Sequence, residues 1–377
     1  MRLKVLFISP GPKMSINETY YRDLSESMDG AILTTSNEES VLRTRRVGGF
    51  AFRSTRFRLN FRLYSNFAFA IFCIGFALKE RMLSSKYDLV STYDPIKTGV
   101  IGVITARILG ARFAPEVNGV YTSEAEYIDG KQTLRLKAKR LVIPMIMRWV
   151  LKRADGIKLL FDTQIDPFAD VVRGKVVSRF PAYVSTSQFK NIREDKEILF
   201  VGFPFRRKGV DVLINSFKQV ADRHPDWKLK ILGWFPDPRE LSSAISGHPQ
   251  IYHHPPVYYP QVPEHIGSCA FVVLPSRSEA MGRVLVEAMA CGKPRIGSNV
   301  DGIPTVIEHN VDGLLVPPDN VASLASALDR LMSDAGLRKR LGSAALDRCQ
   351  SEFSEASHFR NLFRFYLSVV EATTTSV

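Results

Sequence analysis

At 377 residues the chain is too long for one hydrophobic core and suits two domains. Apolar residues at 45% and charged residues at 24% exclude a disordered polyelectrolyte, and four dispersed cysteines with no C-x-x-C pair exclude a disulfide or zinc framework. The net charge of +13 is lopsided: residues 1–185 carry 29 Lys/Arg against 17 Asp/Glu (+12), residues 186–377 carry 22 against 21 (+1).

In chain order, "KVLFISP", "AILTTS", "DLVSTYD", "ARFAPEV" and "GIKLLFD" read as short strands separated by helix-length segments. A polar seam, "STSQFKNIREDKE" at about Ser185–Glu197, follows. Beyond it "EILFVGF" leads to "GVDVLINSFKQVADRHP", "KLKILGW" to "PRELSSAIS", "AFVVLPS" to "GRVLVEAMACG", and "PRIGSN" to "IPTVIEH". This alternation predicts α/β architecture: two doubly wound, Rossmann-like domains of parallel sheet facing a cleft. The expected divisions are 1–185, 197–352, and a last helix in 353–377 that crosses back to the first domain. The first strand begins at residue 3, which leaves no room for a secretory leader, and the thiols read as buried hydrophobes in a reducing, cytoplasmic compartment.

The chemistry concentrates in "SEAMGRVLVEAMACGKP", Ser278–Pro294. Gly282 marks the start of a helix after the strand "AFVVLPS". Glu279 then lies in the loop and Glu287 about one turn into an otherwise apolar helix. A carboxylate there is costly unless it finds donors, and ligand hydroxyls can supply them. Helix-start N–H groups favour an anion, and Gly lets it approach closely. Acid, phosphate cradle, acid suits a nucleotide-sugar; a solvated loop acid plus a structural buried Glu is the competing reading. Upstream, "VGFPFRRKGVDVL" places Arg206, Arg207 and Lys208 between a strand and a helix, where cations can neutralise a departing diphosphate without a metal.

The E-x7-E pair Glu279/Glu287, the following "AMACGKP", "GIPTVIEHNVDGLLVPP" with its "DGLLVPP" hairpin, and "VGFPFRRKG" together resemble the donor domain of the retaining GT-B glycosyltransferases of family 4. The resemblance is close over about residues 197–350 and loose before that. It implies a glycosyltransferase that moves a sugar from a nucleotide-sugar to an acceptor with retention, using no metal and no cofactor beyond that co-substrate. Glu279 would contact the donor sugar, with Arg207 and Lys208 completing the catalytic set. Met281, Gly282 and Arg283 would cradle the phosphates, assisted by Arg206. Glu287 would hold the ribose, and backbone near Val257 and Tyr258 would meet the base. Gly11 would be the first domain's phosphate contact, and Glu116 and Asn118 its acceptor-side residues. Phe203 stands where many relatives carry Arg. All seven histidines lie beyond residue 220, so no imidazole is available from the first domain.

The basic half has its own pattern. "RTRRVGGFAFRSTRFRLNFRLY" interleaves Arg43, Arg45, Arg46, Arg53, Arg56, Arg58 and Arg62 with Phe50, Phe52, Phe57, Phe61 and Tyr64, then runs into "NFAFAIFCIGFAL". "RLKAKRLVIPMIMRWVLKR" is a second basic, amphipathic stretch. Both suit a peripheral seat on an anionic membrane surface and a lipid-linked or cell-envelope glycan acceptor. The alternatives are a solvated basic face over a core helix, and RNA stacking, which no binding signature supports. A basic membrane- or polyanion-binding scaffold that has lost turnover is the competing function.

Overall fold

The computed structural model describes residues 2–9, 14–36, 45–56, 62–130 and 133–372; Gly11, Arg43, Phe57, Arg58 and Phe61 lie outside them. The chain divides into two compact units. Unit 1 comprises Met1–Gly119, Ala138–Phe180 and Phe359–Val377; unit 2 comprises Val120–Lys137 and Pro181–His358.

The chain opens with β1 (Leu3–Ile8), α1 (Met14–Leu24), β2 (Met28–Ser36), β3 (Arg45–Val47), β4 (Phe50–Arg56) and α2 (Arg62–Met82). There follow β5 (Leu89–Thr92), α3 (Lys97–Leu109), β6 (Arg112–Pro115), α4 (Leu134–Arg153), β7 (Gly156–Leu159), α5 (Ala169–Val172) and β8 (Val176–Arg179). The main sheet of unit 1 runs β3-β4-β2-β1-β5-β6, and β7-β8 form a second, parallel pair. β1 is apolar nearly throughout because both of its faces are covered: Leu3, Val5, Leu6, Phe7 and Ile8 are all buried. It pairs in parallel with β2 on one side and β5 on the other.

β3 and β4 form an antiparallel hairpin across Gly48-Gly49 at the edge of this sheet. This corrects part of the basic-stretch expectation: Phe50 and Phe52 turn into the core and are not available to a membrane. The stretch "NFAFAIFCIGFAL" forms most of α2 and is two-sided, not buried all round. On α2 the line Ser65, Phe69, Cys73, Ala77 is buried, whereas Phe67, Ile71 and Leu78 on the other side are exposed. Among the described residues, no helix is long and apolar enough to cross a membrane.

Unit 2 carries β9 (Glu197–Val201), α6 (Val210–Lys218), β10 (Lys228–Leu232), α7 (Pro238–Ile245), β11 (Ile251–His254), α8 (Val262–Ser268) and β12 (Phe271–Leu274). It continues with α9 (Arg283–Ala290), β13 (Arg295–Ser298), α10 (Ile303–Val306), β14 (Leu314–Val316), α11 (Val321–Ser333) and α12 (Ala335–Glu352). Its sheet is wholly parallel, in the order β11-β10-β9-β12-β13-β14. "DGLLVPP" is therefore not a hairpin: β14 pairs in parallel with β13. The last helix, α13 (Glu355–Glu371), places Leu362, Phe365, Tyr366 and Val369 in the core of unit 1. Their i, i+3, i+4, i+7 spacing is a single apolar face. The Tyr366 hydroxyl donates to Ser91 Oγ on β5 at 2.7 Å.

Candidate active site

In unit 2 the strand order reverses direction at the β9–β12 pair, so β10 and β11 lie to one side and β13 and β14 to the other. Loops leaving the carboxyl ends of such a pair splay apart and open a crevice. The loop after β9 carries Arg206–Lys208 and the loop after β12 carries Ser278–Gly282. The topology thus brings together two segments about 70 residues apart in sequence.

Their closeness has a local cause. Gly209 begins α6 with φ +68°, and a Cβ there would lie 2.0 Å from the Pro275 carbonyl oxygen. Only glycine allows this approach. Arg277 then ties the loops together. Its guanidinium takes both Asp211 oxygens at 2.8 and 2.9 Å, and its N–H donates to the Arg207 carbonyl at 2.8 Å. The Asp301 carboxylate accepts from Ser278 Oγ at 2.7 Å and from the Glu279 N–H at 3.0 Å, which fixes the acid-bearing turn.

On this frame Lys208 Nζ donates to Glu279 Oε2, and both side chains are largely buried. Arg207 bonds Glu126 Oε1 at 3.2 Å and the Ser278 carbonyl at 3.3 Å. Arg206 points elsewhere: its Nε pairs with Glu240 at 2.9 Å and the side chain is exposed. The loop backbone is held from a third segment, because the Arg206 and Arg207 N–H groups donate to the two Asp129 oxygens at 2.7 and 2.8 Å. Glu126, Asp129, Arg277 and Asp301 had not been singled out from sequence. Burial pushes the Glu126 carboxyl above its ordinary range, and Arg207 opposes that shift.

Gly282 caps α9 with φ +75°, and Met281 beneath it is buried while Arg283 is exposed. Glu287 lies in the second turn, 5% exposed. The Tyr259 hydroxyl donates to Glu287 Oε1 at 2.9 Å, and Arg283 approaches the same oxygen at 3.8 Å. Burial raises the Glu287 pKa; Arg283 and the Tyr259 hydrogen bond hold it down. Val257 is half-buried and Tyr258 fully presented to solvent at the end of the loop after β11. Phe203 is exposed and its ring lies 5.1 Å from that of Trp234. Among the described residues, no three His, Cys, Asp or Glu side chains converge as metal ligands.

The acceptor-side candidates lie in unit 1, just beyond β6. Asn118 Nδ2 donates to the Tyr93 carbonyl at 3.0 Å and to Glu116 Oε2 at 3.1 Å. Lys158, a fully buried lysine on β7, donates to Asn118 Oδ1 at 3.0 Å and Glu116 Oε2 at 3.2 Å. Burial depresses the Lys158 pKa and Glu116 counters it. Gln164 Nε2 secures the same segment through the Val117 and Gly119 carbonyls at 2.8 and 3.0 Å. Lys158 was not picked out from sequence; the available signal was one lysine inside the otherwise apolar strand "GIKLLF".

Two units, one built on a mainly and one on a wholly parallel sheet, with loops of opposite charge at the switch point of the second, define a two-domain α/β protein of the GT-B fold type. Comparison with known proteins places the chain further. Residues 185–348 match the sequence model of "Glycosyl transferases group 1". The D-inositol 3-phosphate glycosyltransferase of Arthrobacter sp. (strain FB24) is 36% identical over 155 residues, which is 39% of this chain and 37% of that protein. The match thus spans well under half the length of that curated relative. Among solved structures, sucrose-phosphate synthase from Thermosynechococcus elongatus superposes with a TM-score of 0.78 at 17% identity, over 98% of this chain and 100% of that one. Anabaena HepE in complex with UDP and glucose gives 0.73 at 16%, over 97% and 100%. The fold is shared with both.

Proposed function

We propose that the chain transfers a sugar from a nucleotide-sugar to a glycan acceptor with retention of configuration and without a metal. The observation that carries this reading is the Lys208–Glu279 pair held beside the start of α9, with Glu287 buried further along the same helix. Glu279 would accept from donor-sugar hydroxyls, and Glu287 from the ribose. The helix start and Gly282 would receive the diphosphate. Lys208 would move from Glu279 toward the phosphate as charge grows on the leaving group, and Arg207 would support it. Glu116 and Asn118, fixed by Lys158, would orient the acceptor hydroxyl. The HepE structure holds UDP, so a UDP-sugar is the first donor to test.

The acceptor proposed is a lipid-linked or cell-envelope glycan, met by a protein peripheral to the cytoplasmic face of a membrane; the basis is the +12 charge of residues 1–185. One observation favours the turnover-lacking scaffold instead. All three loop cations are already paired with carboxylates, Arg206 with Glu240, Arg207 with Glu126 and Lys208 with Glu279.

Titration calorimetry with UDP tests the donor site. The wild type should bind, and Glu287→Gln should bind about 1.5–3 kcal/mol more weakly, since charge-assisted bonds to two hydroxyls are lost. Equal affinity in the two proteins would remove the ribose assignment.

A further inference from the structure

Three helices of unit 1 lie side by side. α2 packs along α3, and α3 meets α4 where a Cβ on Gly99 would stand 3.0 Å from Val150 Cγ1. Within unit 1 their cations number three on α2, two on α3 and five on the Ala138–Arg153 part of α4, against a single carboxylate, Glu80. Ten against one is not the mixed-sign pattern of an ordinary solvated face. Some of this charge is answered from outside, since Arg148 pairs with Asp170.

The same helices carry large apolar side chains into solvent. On α4, Leu141 is 72% and Met145 69% exposed, and Trp149 follows four residues on. On α2, Phe67 is 67% and Ile71 55% exposed, with Leu78 and Met82 continuing the line. Spacings of four and seven residues put each set on one stripe. Single exposed hydrophobics need no explanation, but stripes on the two helices that each meet α3 do. Trp149 is also dressed for an interface: the Arg153 guanidinium sits 4.2 Å from its ring centroid, so an apolar plate and a cation are presented together.

We propose that the solvent face of α2, α3 and α4 is the docking surface for an anionic lipid bilayer. Leu141, Met145, Ile71 and Leu78 insert among the acyl chains near the headgroups, and the flanking lysines and arginines meet lipid phosphates. The proposal rests on the peripheral-membrane part of the reading above and is independent of the donor chemistry. It narrows the sequence expectation, which named both basic stretches, to the parts of them that form α2 and α4 and drops Phe50 and Phe52, which are buried. A bilayer is favoured over a second copy of the chain because two such cation-rich faces would repel each other.

Vesicle flotation of the full chain tests it. Vesicles of roughly three parts phosphatidylcholine to one part phosphatidylglycerol should carry the protein, and phosphatidylcholine alone should not. Leu141→Ser/Met145→Ser should lower partitioning about tenfold or more, and Ile71→Ser/Leu78→Ser should act likewise. Exposed apolar residues of the other unit, changed as Ile192→Ser/Val311→Ser, should have no effect. Melting temperature and UDP calorimetry should match wild type in all variants, which separates failure of docking from failure of the donor site. Equal flotation of the wild type and both stripe variants would overturn the proposal. So would a wild type that ignores anionic vesicles, or a dimer by light scattering that the Leu141→Ser/Met145→Ser variant dissolves in the absence of vesicle binding.

Discussion

Glu287 combines two demands that oppose each other. As a buried acid it prefers its proton, and in the proposed role of ribose ligand it must be ionised. Its folded pKa lies above the unfolded 4.5 because burial outweighs Arg283 and Tyr259. Between those two values the folded state binds more protons than the unfolded state, so stability falls as pH rises through the window. Glu287→Gln removes this penalty. Its melting temperature should exceed that of wild type at neutral pH and converge with it below about pH 4.5. A variant that melts lower than wild type at neutral pH would contradict the assignment of Glu287 as a functional, destabilising acid. The donor affinity of the wild type should likewise weaken on acidification at a pH above the ordinary carboxylate range. Tyr259→Phe should move that limb to still higher pH, because its hydrogen bond favours the ionised form. Glu279, Glu287 and Lys208 were legible in the sequence because charge, glycine and strand ends coincide there. Tyr259 was not: it lies 28 residues from Glu287, and only the fold sets its hydroxyl on that carboxylate.

At the scale of elements, the central strands were readable because burial on both faces leaves continuous apolar runs. What escaped was short or set by distant partners. The β3–β4 hairpin carried its own signal, Val47-Gly48-Gly49-Phe50, but the surrounding arginines masked it. The segment bearing Glu126 and Asp129 reaches the Arg206–Lys208 loop from about 80 residues upstream, a contact that no periodicity encodes. The "DGLLVPP" motif proves structural at its first residue. Asp312, 1% exposed, receives the fully buried Arg295 of β13 at 2.9 Å and Arg348 of α12 at 2.8 Å. Burial pushes Arg295 down to about 10. Removing one partner leaves an uncompensated buried charge, so Asp312→Ala should cost about 3–5 kcal/mol in urea unfolding. A loss under 1 kcal/mol would show that Arg348 and the main chain suffice. The last helix permits a parallel test. Phe365→Ala should also cost about 3–5 kcal/mol, since Phe365 is buried in the core of unit 1.

For the molecule as a whole, the lopsided charge was plain from composition, yet composition could not say which surface carries it. The structure places ten of the cations on three helices of unit 1, while the proposed donor site is assembled in unit 2. The two functions should therefore respond to different changes. Salt should weaken vesicle binding and leave nucleotide affinity far less affected, because screening acts on exposed charge. The central claim is sugar transfer driven by a lysine in place of a metal, and UDP release from UDP-sugars in the presence of EDTA tests it most directly. The wild type should turn over with at least one common UDP-sugar, chelator included. Lys208→Ala should lower kcat by roughly 100-fold while changing donor affinity much less, because the lysine acts on charge that grows in the transition state. Activity that vanishes with EDTA and returns with Mg²⁺ or Mn²⁺, or a Lys208→Ala variant as fast as wild type, would contradict the account.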